Sequence, residues 1–390
     1  MVKATRHRTV RGIPKELPFQ TVALLLQGGG ALGAYQGGVY EAMAEVGVLP
    51  NWVAGISIGA INAAIIAGNP PETRVERLKA FWDIVTAHPT NSMAEFIARL
   101  TTGDATRSVM NELSAFRALT FGAPGFFVPR VVSPWFTQPG ADGATSYYDT
   151  SHLRSTLENL VDFDRINAGE TRFSVAAVNV RSGNFVYFDN ATHDIRPEHI
   201  MASGALPPGF GAVDIHGELY WDGGLISNTP LSWVLNAVPR HDTLAFQVDL
   251  WSAKGGEPRS MADVQVRQKE IQYSSRTRAE TSHFKETQRL RFALARLLDK
   301  LPPEFERDPD VAYLSQQADN CRYNIVELIY RSKHYEDQSR DYEFSRLTML
   351  DHWQAGLDDA RRTLRHGNIF ELPTNSSGVF TFDWNEHGAG

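Results

Sequence analysis

The run Thr21-Val-Ala-Leu-Leu-Leu-Gln27 constrains this chain most, because it is apolar at consecutive positions and stops against Gly28-Gly-Gly30. A strand with one wet face alternates apolar and polar residues, so an unbroken run ending in glycines describes a strand buried on both faces of a parallel sheet. Val39, Met43 and Val46 then recur at helical spacing and end before Gly47, a common residue just past a helix. The pattern repeats at once with Trp52-Val-Ala-Gly55, a turn at Ser57, and a helical run over 60–67 closed by Gly68-Asn-Pro-Pro71. Parallel neighbours need a crossover helix, so two such units in succession predict an α/β fold with a mostly parallel sheet. Further strands are expected at 173–180, 184–188, 218–221 and 243–250.

Residues 91–148 break this rhythm, mixing helical pieces with Gly, Pro and aromatic residues such as Phe126, Phe127, Trp135 and Phe136. They have too many prolines for a central strand and are expected to run over the sheet as an insertion, a candidate lid or a self-packed surface loop. Beyond residue 252 the chain turns rich in Arg, Glu, Gln and Leu with helical periodicity, and Arg276, Arg278, Lys285, Arg289 and Arg291 read as a solvated helix face. The expected organisation is an arm over 1–20, a catalytic α/β domain over 21–251 and a helical extension over 252–390.

A net charge of -7, from 38 basic and 45 acidic residues, gives no field for nucleic acid, which is set aside as a partner. The basic start, with Lys3, Arg6, Arg8, Arg11 and Lys15, lacks the apolar run of a secretory signal. Cys321 is the single cysteine, which suits a reducing compartment, and the cytoplasm is the default location. Apolar stretches are too short to span a bilayer, so any membrane contact is expected to be peripheral.

Three motifs each fall where an expected strand ends, the edge at which open parallel sheets bind ligands. Gly55-Ile-Ser57-Ile-Gly59 fits a strand–turn–helix elbow that lifts a serine hydroxyl above the sheet, with a helix N-terminus aimed at developing negative charge. Gly28-Gly29-Gly30 lets backbone N–H groups approach a substrate, as an oxyanion hole requires. The same loop, through Gly33, also satisfies a dinucleotide-binding spacing, but the nearest acid, Glu45, belongs to the preceding helix instead of a second strand's end. Asp222-Gly223-Gly224 reads as a common turn alone, and as a carboxylate base when placed beside a serine.

Together these residues resemble the patatin-like phospholipase family, which combines the glycine loop, the serine elbow and the Asp-Gly-Gly motif in this order. The likeness runs from about Val22 to Asp249 and includes the softer stretch Ala202-Ser-Gly-Ala-Leu-Pro-Pro-Gly-Phe210 and Asn228. Leu32 stands where many members carry Arg or Lys, so a cation that could hold an acidic head group is missing. The resemblance implies a three-layer sandwich and hydrolysis of a lipid or other acyl ester. It implies Ser57 as nucleophile, Asp222 as base, Gly28, Gly29 and Gly30 as oxyanion hole, and Gly33, Gly55, Gly59, Gly223, Gly224 and Asn228 in support, without metal or organic cofactor. An oligomer-cleaving hydroxyalkanoate esterase or an acyltransferase would use the same dyad, and a nucleotide-binding regulator using Gly28 to Gly33 is the alternative of another class. His193, His199, His216 and His241 keep a serine–histidine triad open, although none follows a strand as a third triad member does. A homo-oligomer is compatible with the sequence.

Overall fold

The computed structural model describes residues 14, 16–87, 104–305, 307–332, 336 and 339–383. Most of the expected N-terminal arm, the stretch 91–103 of the insertion and the side chains of Arg276 and Arg278 lie outside the described residues.

The strands, in chain order, are β1 (Thr21–Leu26), β2 (Trp52–Gly55), β3 (Val128–Pro129), β4 (Tyr148–Asp149), β5 (Arg172–Asn179), β6 (Phe185–Asp189), β7 (Val213–Ile215), β8 (Glu218–Asp222), β9 (Thr243–Asp249), β10 (Tyr323–Ile329) and β11 (Val379–Phe382). Among the described residues, nine of them form one sheet in the order β11-β10-β9-β1-β2-β5-β8-β7, with β6 also paired to β5. From β11 to β5 every pairing is parallel, and β6, β7 and β8 join antiparallel.

The apolar run of β1 is explained by a helical layer on each face. Val22, Leu24 and Leu26 belong to a core shared with helices Ala34–Glu45, Ile58–Ala67 and Arg346–Thr363, whereas Ala23 and Leu25 face a second core with Leu231, Leu235 and Phe284. Period-two alternation thus buries both sets. The helical reading of the C-terminal region holds for Met261–Leu298 and Arg346–Thr363. The same region also contributes β10 and β11, two strands that the helical reading does not contain.

Registers at β5 set the site. β2 and β6 both pair with Ser174 and Val175, so they occupy opposite edges of β5, while β8 overlaps β6 at Ala177 and Val178 and therefore shares the β2 edge. Gly55 ends β2 opposite Val175, and Asp222 ends the oncoming β8 opposite Ala177. The turn leaving one strand must meet the carboxylate ending the other.

Helix Arg346–Thr363 closes on helix Ala34–Glu45 through glycines at the crossing. A β-carbon added at Gly38 would lie 1.9 Å from the Trp353 carbonyl oxygen, and one at Gly356 would lie 2.0 Å from that of Tyr35. Gly38→Ala should therefore destabilise the protein by about 1–3 kcal/mol in denaturant unfolding, since backbone on the far side has no side chain to swing away. An unchanged midpoint would contradict this packing.

Candidate active site

Ser57 sits between β2 and helix Ile58–Ala67 with φ 57° and ψ -124°, a left-handed backbone region costly for a residue with a β-carbon. Close packing imposes it: an added β-carbon at Gly55 would lie 2.2 Å from the Gly59 carbonyl oxygen, and one at Gly59 would lie 2.2 Å from that of Leu26. Only glycines let strand, turn and helix approach so closely. The Ser57 N–H donates to Ser203 Oγ at 3.0 Å, so the 202–210 segment braces the elbow.

Asp222 is 2% exposed, and its Oδ1 accepts from the Gly224 N–H at 2.7 Å. Burial pushes its pKa from 3.8 to about 7, against smaller lowering effects from the Gly224 N–H and from the neighbouring Ser57 side chain. The carboxylate is therefore matched to taking a proton from its serine neighbour near neutral pH.

The glycine loop reaches the same point. Gly28 donates its N–H to the Asn228 carbonyl at 3.3 Å, and its own carbonyl accepts from Asn228 Nδ2 at 2.9 Å and Trp251 Nε1 at 3.0 Å. Its α-carbon lies so close to the elbow that an added β-carbon would sit 3.0 Å from Ser57 Cβ. Ala31 donates to the Asp341 carbonyl at 2.8 Å, which leaves the Gly29 and Gly30 N–H groups, with no protein acceptor among the described residues, beside the serine. Gly33 packs on Ile58 and Trp82, Gly223 packs on the Ala176 carbonyl of β5, and buried Leu32 is core.

Gln27, the last residue of the apolar run, is fully buried and satisfies its whole amide. Nε2 donates to Thr229 Oγ1 and the Tyr273 carbonyl, and Oε1 accepts from the Leu250 and Trp251 N–H groups. This polar residue ties the ends of β1 and β9 to the loop carrying Asn228.

Ser57, Asp222 and the three glycines open into a cavity of about 300 Å³. Its far wall is aromatic: Phe126, Phe127, Tyr148, Phe210 and Phe344 meet with ring centroids 5.1–6.1 Å apart. Phe126 and Phe127 thus pack locally and line the cavity, whereas Trp135 and Phe136 are exposed, with Trp135 Nε1 donating to Tyr147 Oη. Trp251, Tyr273, Asp341, Tyr342 and Phe344 also line it, and sequence reasoning had not selected them, since no local spacing marks a residue that arrives from another part of the chain.

No histidine lines this cavity among the described residues. His199 is buried, with Nδ1 accepting the Arg196 N–H in a helix cap and its ring against Phe188, and burial lowers its pKa. His193 lies beside Thr192 and Phe188, and His241 lines a separate cavity among the opposite strand ends. Glu45 ion-pairs with Arg361 at the surface, so it holds no ribose at the glycine loop. Among the described residues no group of His, Cys, Asp or Glu could hold a metal, and no helix is long and apolar enough to cross a membrane.

Residues 24–235, more than half of the chain, match the family described as Patatin-like phospholipase, and 271–376 match a second family described as Patatin phospholipase. The chain belongs to the patatin-like phospholipase family, and membership supports lipid acyl hydrolysis as its class of activity. No curated protein matches the sequence significantly. Among solved structures, VipD from Legionella pneumophila is similar at TM-score 0.38 and 14% identity, over 92% of this chain and 70% of that one. The ExoU–SpcU complex from the type III secretion system of Pseudomonas aeruginosa gives 0.26 and 16%, over 76% of this chain and 59% of that one.

If Asp222 must be ionised to act, kcat/KM on a soluble ester should fall about tenfold per pH unit below about 7 and be level above it. The folded carboxyl holds its proton more tightly than an unfolded one, so ionising it costs stability as pH climbs from 3.8 to about 7. Asp222→Asn should accordingly raise the melting temperature by a margin that widens across this window and is constant above it. A margin independent of pH would contradict the burial of an ionisable group.

Proposed function

We propose that this chain is a serine lipid acyl hydrolase that works through a Ser57–Asp222 dyad and an acyl-enzyme. The observation that carries the reading is a serine held at positive φ that shares one cavity with a buried carboxylate of raised pKa. In the forward step Asp222 takes the Ser57 proton as Oγ bonds to the ester carbonyl carbon. The carbonyl oxygen becomes an oxyanion held by the Gly29 and Gly30 N–H groups, where helix Ile58–Ala67 adds its N-terminal field. Collapse breaks the bond to the alcohol, which leaves with the proton from Asp222. Water, deprotonated by Asp222, then attacks the acyl-serine, and as the acid leaves, Asp222 returns that proton to Ser57 Oγ.

The aromatic wall suits an acyl chain, and the missing cation at Leu32 argues against selection for acidic head groups. Peripheral contact with a lipid surface is the reading favoured by Val131, Trp135 and Phe136, which are exposed on the same insertion that supplies Phe126, Phe127 and Tyr148 to the cavity. A hydroxyalkanoate-oligomer esterase would use the same dyad on a different acyl ester, and an acyltransferase would differ in the acceptor that replaces water in the second step.

Ser57→Ala should abolish ester turnover and fluorophosphonate labelling without changing the fold. Asp222→Asn should cost on the order of 10³-fold or more in kcat, while alanine at His193, His199, His216 or His241 should cost less than about tenfold. A histidine variant as inactive as Ser57→Ala would replace the dyad with a triad.

A further inference from the structure

The C-terminal region grips the oxyanion loop at two points. First, the Asp341 carbonyl accepts the Ala31 N–H at 2.8 Å. Gly30, at φ 56°, is pressed so closely beneath it that an added β-carbon would lie 2.0 Å from that oxygen. Second, the Arg340 guanidinium lies 4.9 Å from the centre of the Trp251 ring, whose Nε1 donates to the Gly28 carbonyl. The three glycines are therefore bracketed by residues distant in sequence.

Both grips are anchored on helix Met261–Leu298. Lys269 Nζ donates to both carboxylate oxygens of Asp341, at 2.8 and 2.9 Å, and lies 5.1 Å from the centre of the Tyr342 ring. At the next residue, Glu270 accepts from Arg340 Nη2 at 2.9 Å with its other oxygen held by Arg267 at 3.0 Å. The Arg340–Glu270 pair is buried, with side chains 4% and 10% exposed, while Lys269 and Asp341 are 30% and 24% exposed. Such positions differ in what they can do. A buried pair holds the segment in the fold, and a half-exposed pair adds little to global stability but can fix the direction of one carbonyl.

We infer that the segment around Arg340 and Asp341 is a strap that sets the oxyanion hole, with Lys269 and Asp341 as positioning residues. This rests on the hydrolase reading above. By holding the Asp341 carbonyl, the ion pair consumes the Ala31 N–H and turns the neighbouring Gly29 and Gly30 N–H groups toward Ser57. Neither charged group touches the reacting atoms. Their effect should appear in the chemical step, since donors pre-aimed at the oxyanion act on the transition state more than on the bound ester.

The test is Lys269→Met, which keeps the stem and removes the charge, with Asp341→Asn as a second variant and Lys269→Arg as rescue. On p-nitrophenyl butyrate, kcat should fall about tenfold or more in both single variants, with KM within about twofold, and fluorophosphonate labelling of Ser57 should slow in step. The double variant should be no slower than either single one, the melting temperature should stay within ~2 °C of the original, and Lys269→Arg should recover most of the rate. Unchanged kcat in an active protein, or loss of rate only in proportion to loss of melting temperature, overturns the strap. A parent protein whose Ser57 neither labels nor turns over esters overturns the hydrolase reading, and the strap with it.

Discussion

The structure turns on one unfavourable placement, a carboxylate at the end of β8 with almost no access to water. Removing Asp222 from solvent is costly when it is ionised, and one N–H from Gly224 and the Ser57 hydroxyl repay only part of that cost. The remainder appears as a raised pKa, which is what an aspartate needs to serve as a base near neutrality without a histidine. Ser57 carries a matching cost in its backbone, with φ 57° imposed by glycines packed against Leu26 and each other. These two costly placements, one just after β2 and one at the end of β8, are held together because β2 and β8 share one edge of β5.

What holds that arrangement is a layer of hydrogen-bonded buried polar side chains under the site. Gln27 links β1, β9, Thr229 and the helix carrying Tyr273, and Gln36 Nε2 donates to the Gln27 carbonyl at 2.7 Å. Asp249, at the end of β9, accepts from Gln247 and Thr229, and burial pushes its pKa up to about 8. Directional bonds between such buried groups fix loop geometry more sharply than apolar packing. The C-terminal region belongs to this frame through β10, β11 and the close crossing of its helix on Ala34–Glu45.

Much of this was legible in the sequence where the signal is local. The unbroken apolar run of β1, the elbow around Ser57 and the Asp222-Gly-Gly turn each state their geometry within a few residues, because burial on two faces and tight turns restrict composition sharply. Gln27 was read only as the end of the run, since its role depends on Leu250 and Trp251, which approach from β9. β10 was hidden in a charged, helix-like region, and its buried Asn324 breaks the apolar pattern by donating to the Ile369 and Glu371 carbonyls. Asp341 gave no local signal: it meets the glycine loop through a main-chain carbonyl, which any residue possesses, and its carboxylate pairs with Lys269, far away in the sequence.

The claim that burial makes Asp222 a base by itself is tested most directly by titrating that carboxyl. In protein carrying 13C at the aspartate side-chain carboxyls, the resonance absent from Asp222→Asn identifies it. Its midpoint should lie near 7 in the unmodified protein and move upward in Ser57→Ala, where the hydroxyl that favours the ionised form is gone. A midpoint near the ordinary 3.8, unmoved by Ser57→Ala, would contradict the account.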